Sequence, residues 1–284
     1  MKFTIAVAQI DTTLGDLKKN VAKHVEFTRK AKSSGADLVV FPELSLSGYS
    51  VKDSSWDVAI RTSDAKFLNG LLDESRDIAI ICGGVEESSS YGIHNSAFLF
   101  DRGTLTSVHR KLYPPTYGMF EELRYFSPGS SARAFESSVG RLGVLVCEDL
   151  WHLPLSYLLA QDGAEVIIGI AASPTRLSGA DAVLPTQQVN SEQHKTYARL
   201  LSTYVVFCNR VGYEDGVNFW GGSSILAPNG DIVAEAKLFG EEMIYAEIDR
   251  NEIRRARRLS RHFLDDRRDV VIRELKRFSK REDH

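Results

Sequence analysis

Short apolar runs rich in Val and Ile recur along this chain, separated by stretches whose apolar residues return every three or four positions. A short continuous run or a period of two marks a strand, a period of 3.6 marks an amphipathic helix, and their alternation narrows the fold to the α/β class. Residues 3–10 form the first strand. Asp16 then opens a helix with Leu17, Val21, His24, Val25, Thr28 and Ala31 on one face, closed by Gly35. DLVVF (37–41) is the next buried strand, and a helix over 63–75 turns Phe67, Leu68, Leu71 and Leu72 inward. Strands are expected near 78–85, 93–101, 104–110, 141–147, 165–170, 204–209, 222–228, 231–236 and 242–248, with helices near 153–162 and 184–202. Such alternation in both halves predicts a four-layer αββα sandwich: two mixed sheets inside, helices outside. Residues 1–249 read as one domain and 250–284 as a C-terminal helical extension.

Composition bounds the class. Across 284 residues, 43% are hydrophobic and 26% charged, ordinary for a chain with a large core. Cys82, Cys147 and Cys208 lie in separate apolar runs with no CxxC pair, the usage of a reducing cytoplasm. The first residues lack a secretory signal's long apolar core, and no run approaches the roughly 20 apolar residues of a membrane span. The expectation is a soluble cytoplasmic protein with no membrane partner. The net charge of −3 conceals an asymmetry, because residues 250–284 hold 13 Lys/Arg against 7 Asp/Glu. Those arginines are interleaved with acids and with Ile253, Leu259, Phe263, Val270, Val271 and Leu275, a pattern for a solvated or subunit-facing helix rather than for nucleic acid.

Chemistry concentrates at three strand ends. RLGVLVCEDLW (141–151) is a buried strand that ends on Cys147 and is followed by Glu148 and Asp149. An isolated Cys in such a run is ordinarily an inert core residue, as Cys82 and Cys208 are expected to be. Two other strand ends change the reading. FPELSLSGY places Glu43 after a buried strand and a proline, where partial desolvation suits a general base. TLTSVHRK ends on Lys111, a cation able to face a developing oxyanion. Long loops are often functional, and the loop 112–129, with Pro114, Pro115, Gly118, Pro128 and Gly129, is too broken for a regular element. His109, His152 and His194 show no metal-binding spacing and read as structural; neither metal nor cofactor is expected. Cys147 with His152 is a weaker pair, since thiol hydrolases draw base and nucleophile from distant segments.

These stretches carry a resemblance. FPELSLSGY, HRKLYPP and VLVCEDLW, in that order, resemble the Glu–Lys–Cys motifs of the nitrilase superfamily of carbon-nitrogen hydrolases, and VAQID, NRVG and GGSSILAPNGDIVAEA extend the match over nearly the whole chain. HRKLYPPTYGMFEELRYFSPG and CEDLW look most like the glutamine-hydrolysing domain of glutamine-dependent NAD synthetases. The resemblance implies the nitrilase-type αββα fold and an amidase that splits a linear amide into acid and ammonia. It implies Cys147 as nucleophile, Glu43 as base, Lys111 as oxyanion partner and Glu122 as a second, positioning glutamate. It further implies Tyr117, Glu148 and Ser173 around the substrate. The arginine that this branch carries six residues after the serine is Gly179 here, leaving Arg176 as the nearby cation for a carboxylate. The implied partners are a small-molecule amide, a second copy of the chain in a dimer or larger homo-oligomer, and a separate synthetase if the protein is an ammonia-delivering subunit. N-carbamoyl hydrolysis is an alternative, because NRVGYEDGVNFWGGSS resembles that branch too.

Overall fold

The computed structural model describes residues 2–61, 66–175 and 184–279. Strand Lys2–Gln9 explains why the apolar runs look continuous. Ile5 and Val7 face one side and Ala6 and Ala8 the other, and both sides are buried, one against the second sheet and one against helices.

The first sheet runs in the order Glu242–Asp249, Lys2–Gln9, Leu38–Val40, Ala79–Glu87, Ile93–Asp101, Thr104–Arg110, with the short strand Ile60–Arg61 also pairing Ala79–Glu87. The second runs Ile232–Glu235, Ser224–Leu226, Tyr204–Asn209, Val166–Ala171, Gly140–Val146, Phe135–Ser137. Each mixes parallel central pairs with antiparallel flanks. Ile5, Val7, Val40 and Ile81 of the first sheet pack on Val144, Val146, Ile168 and Val206 of the second, and this is the central core. Helices Leu17–Ser33 and Asn69–Glu74 cover the first sheet from outside, and Leu153–Gln161 and Pro185–Leu201 cover the second. The expected four layers are therefore present. Asp16 caps the first helix, its Oδ1 accepting from the Lys19 N–H at 3.0 Å.

Several local expectations change. Of the helix expected over 63–75, residues 63–65 lie outside the described residues, and the rest is a 3-10 turn, Lys66–Leu68, running into the short helix Asn69–Glu74. Leu68 and Leu71 are buried and Leu72 packs against them, but Phe67 is exposed. The tighter three-residue repeat of the opening turn carries it off the inward stripe. A third sheet, Pro174–Thr175, Val217–Trp220 and Val211–Glu214, has no counterpart in the sequence reading, because strands of two to four residues are too short to show a period. The strand expected over 222–228 narrows to Ser224–Leu226, since Gly221 and Gly222 take φ of +73° and +60° and so stand outside extended backbone.

Beyond the sandwich, helix Arg250–Leu259 buries Ile253, and helix Arg268–Ser279 buries no side chain while exposing Val271, Ile272, Leu275 and Phe278. A cavity of about 550 Å³ lies between that last helix and the two helices over the second sheet. Among the described residues no helix is long and apolar enough to cross a membrane.

Candidate active site

Glu43, Lys111 and Cys147 converge at one end of the two facing sheets. Lys111 follows strand Thr104–Arg110 directly, Cys147 follows Gly140–Val146, and Glu43 stands three residues past Leu38–Val40. The Lys111 Nζ, with its side chain fully enclosed, donates at 2.8 Å to Glu43 Oε1 and at 2.8 Å to Glu122 Oε1. Glu122, rather than the exposed Glu121, is thus the second acid of the cluster. Cys147 is partly exposed, and its sulfur feels Glu43, Lys111, Glu122 and Glu148.

Two turns bend to deliver these groups. Cys147 takes a φ of +47°, a left-handed conformation costing an L-residue about 1–2 kcal/mol, and opens the 3-10 turn Cys147–Trp151. The sharp exit turns the chain away from the strand direction at Cys147. Leu44, beside Glu43, has a φ of +48°. The Glu43 turn rests on Gly83, where an added Cβ would come within 2.7 Å of Glu43 Cα and of the Pro42 carbonyl oxygen.

Glu43 is held by three donors: Lys111 Nζ, Asn95 Nδ2 at 2.8 Å, and the Ala172 N–H on Oε2 at 2.8 Å. Tyr49 Oη donates at 2.7 Å to the Glu122 oxygen that Lys111 also reaches. Sequence reasoning named neither Asn95 nor Tyr49. The signal was faint: a polar residue inside the fully buried strand Ile93–Asp101, and a tyrosine ending the same FPELSLSGY stretch.

Electrostatics follow from burial and mutual contact. Desolvation alone would lower the Lys111 ammonium, yet Glu122, Glu43 and Cys147 together hold its pKa well above the usual value. Burial lifts the Glu122 carboxyl, with Glu43 reinforcing and Lys111 opposing. Burial and then Glu43 push the Cys147 thiol well above its ordinary value, against the pull of Lys111. A raised pKa favours the thiol over the thiolate at Cys147.

The remaining expected residues divide. Tyr117 Oη donates to Glu148 Oε2 at 2.8 Å, and burial followed by that contact pushes the phenol up to about 12. Ser173 follows Ala172, whose N–H holds Glu43; its Oγ accepts from Trp220 Nε1 at 3.0 Å, and its N–H donates to Asn209 Oδ1 at 2.8 Å. Arg176 and Gly179 lie outside the described residues. Cys82 packs under the outer helices and Cys208 between the sheets, both buried with thiols raised by desolvation. His152 stacks on Tyr113 at 3.4 Å, His194 lies against Phe207, and His109 bonds Asp149. No cluster able to hold a metal ion occurs among the described residues.

An αββα sandwich with a buried Glu–Lys–Glu cluster beside the Cys147 thiol is the arrangement that comparison with known proteins assigns to hydrolases of carbon-nitrogen bonds. The carbon-nitrogen hydrolase family model matches residues 4–258, so the chain belongs to that family, within the nitrilase superfamily. It is 30% identical over 255 residues to the glutamine-dependent NAD(+) synthetase of Thermotoga maritima, covering 88% of this chain and 43% of that protein. It is 32% identical over 255 residues to the corresponding synthetase of Acinetobacter baylyi, covering 87% and 44%. The chain thus spans less than half the length of these relatives. Among solved structures it superposes on a carbon-nitrogen hydrolase from Helicobacter pylori G27 with a TM-score of 0.85 at 27% identity, covering 97% of this chain and 98% of that one. Nit3 of Saccharomyces cerevisiae, a member of branch 10 of the nitrilase superfamily, gives 0.81 at 26% identity, covering 94% and 96%.

Proposed function

We propose that the protein hydrolyses a linear, non-peptide amide to a carboxylic acid and ammonia through a thioester on Cys147. The observation that carries this reading is the Lys111 ammonium bridging Glu43 and Glu122 at 2.8 Å each beside the sulfur. In the first half-reaction Glu43 takes the thiol proton as sulfur bonds the amide carbon. The carbonyl electrons move onto oxygen, which the Lys111 ammonium and the Glu148 backbone N–H stabilise. As the C–N bond breaks, Glu43 returns the proton to nitrogen and ammonia leaves. In the second half-reaction Glu43 takes a proton from water, the hydroxyl adds to the thioester, the C–S bond breaks, and the proton returns to sulfur. Glu122, itself held by the Tyr49 hydroxyl, keeps Lys111 in place. In this reading Tyr117, Glu148 and Ser173 bind the rest of the substrate, with Arg176 as the cation for a substrate carboxylate; the Tyr117–Glu148 hydrogen bond supports the first pair. No cofactor or metal is required by these steps.

A second reading is favoured by the alignment with glutamine-dependent synthetases: a glutaminase-type subunit passing ammonia to a separate NAD synthetase. N-carbamoyl hydrolysis uses the same triad and is the third substrate class to try. The reading also makes the protein cytoplasmic and a homodimer or larger, with residues 250–284 at the contact. Its support is the apolar stripe on helix Arg268–Ser279. Purified protein is screened for ammonia release against glutamine, ω-amides lacking the α-carboxylate and N-carbamoyl amino acids, with and without an ammonia-dependent NAD synthetase. The amidase reading expects turnover without the synthetase and none with Cys147→Ala. Retained turnover in Cys147→Ala sinks it, and turnover only with the synthetase selects the subunit reading.

A further inference from the structure

Asp149 enters none of the steps above. It has no solvent exposure, and its carboxylate accepts four hydrogen bonds. Oδ1 takes the N–H groups of Leu112 at 2.9 Å and Tyr113 at 3.0 Å; Oδ2 takes His109 Nε2 at 3.1 Å and the Val146 N–H at 3.2 Å. Three of these donors flank Lys111 and the fourth immediately precedes Cys147. Lys111 and Cys147 leave different sheets, and the other backbone bonds of Lys111, to Asn95 and Gly129, tie it only to its own sheet and loop.

We propose that Asp149 is a positioning residue for hydrolysis, a carboxylate that locks the Lys111 strand end to the Cys147 turn so that ammonium and sulfur address one carbonyl group. Sulfur must meet the carbonyl carbon while the ammonium meets its oxygen, and a misplacement of about 1 Å can cost about 100-fold in rate. The turn at Cys147 is strained, and such conformations persist only where the surroundings over-determine them. A carboxylate suits this junction because it is acceptor-only and meets four donors. An asparagine of the same shape would turn an NH2 group toward some of those donors. His109 donates from Nε2, the tautomer its acceptor-only partner requires.

The kinetic arm of the test rests on the amidase reading; a second arm needs no substrate. Wild type, Asp149→Asn, His109→Leu, His109→Gln and Cys147→Ala are compared for ammonia release and for alkylation of Cys147 by iodoacetamide. Rates are normalised to the folded fraction, and Cys147→Ala gives the alkylation blank. Asp149→Asn is expected to lose about tenfold or more in kcat with KM within about threefold, and to slow alkylation by about fivefold. His109→Leu is expected to move both in the same direction by less, and His109→Gln, which restores a donor, to recover to within about threefold of wild type. Folded Asp149→Asn with kcat and alkylation unchanged overturns the proposal, since a purely stabilising bond would lower melting temperature alone. Where Asp149→Asn does not fold, an unchanged His109→Leu overturns it instead. Wild type that releases no ammonia from any amide refutes the amidase reading, while the alkylation series still decides the role of Asp149.

Discussion

Lys111 is a fully enclosed ammonium, 2.8 Å from each of two carboxyl groups, Glu43 and Glu122. Removing one partner of a buried ion pair typically costs about 3–5 kcal/mol, because the remaining charge is left uncompensated. Lys111→Met is therefore expected to lower the melting temperature by roughly 10 °C and ammonia release by about 100-fold or more, as for loss of an oxyanion donor. Calorimetry and steady-state rates check both, and a stable Lys111→Met enzyme of normal rate would contradict the assignment. At Cys147 the raised thiol pKa has a direct readout. The thiolate forms only above the ordinary thiol range, so alkylation of the free enzyme should climb steadily as pH rises past neutrality and beyond about 9. A fast plateau between pH 6 and 8 would mean a preformed thiolate. Glu43, Lys111 and Cys147 were legible as candidates because each follows a strand run, whereas Glu122 came only from the resemblance of FEELRYF to the family's motif. Asn95, Tyr49 and Asp149 were not legible. Their roles lie in partners brought close by the fold, such as Asp149 reaching Leu112 across 37 positions, and a single chain carries no mark of such contacts.

Among the elements, the strands that are long and buried on both faces were read almost to their ends, since continuous Val and Ile runs permit little else. The third sheet escaped because its strands follow turns and glycines rather than a period. Gly83 shows how an element places chemistry. The strand Ala79–Glu87 passes so close beneath the Glu43 turn that a Cβ at Gly83 would meet the Leu44 backbone nitrogen as well as the Glu43 Cα. Backbone cannot yield there as a flexible side chain can. Gly83→Ala is expected to shift Glu43 away from Lys111, lowering kcat by about tenfold or more and stability by about 1–3 kcal/mol. Kinetics and urea melts measure the two effects, and an unperturbed Gly83→Ala would show that the turn is looser than its packing implies.

The molecule as a whole is made acid-sensitive by two enclosed imidazoles. His24, bonded to Ser45 beneath the Glu43 turn, and His194, against Phe207, are each lowered by burial to about 4. A folded-state pKa below the unfolded value of about 6.5 means that the unfolded chain takes up protons first as pH falls. Stability present above about pH 6.5 should then be lost toward pH 4, by on the order of 2 kcal/mol per ring at pH 5. Urea melts from pH 7 to pH 4.5 should show this slope, and replacing both rings by glutamine should flatten it; an unchanged slope would place the acid sensitivity elsewhere. Sedimentation should find a dimer or larger, and a chain ending at Ser260 should dissociate more readily, since the stripe Val271, Ile272, Leu275 and Phe278 is gone; a monomeric full-length chain would contradict this. The four-layer arrangement was legible from alternation alone, whereas the way the last helix lies beside the two helices over the second sheet depends on surfaces that only the fold creates. The central claim, a thioester formed by Cys147 in a cluster arranged by Lys111, is tested most directly by rapid-quench intact mass measurement during turnover of an amide found in the screen. The account predicts protein heavier by the acyl group, the added mass mapping to Cys147 and its formation matched by one equivalent of ammonia. Ammonia release at full rate with no adduct on that sulfur at any time, and equally from Cys147→Ala, would contradict it.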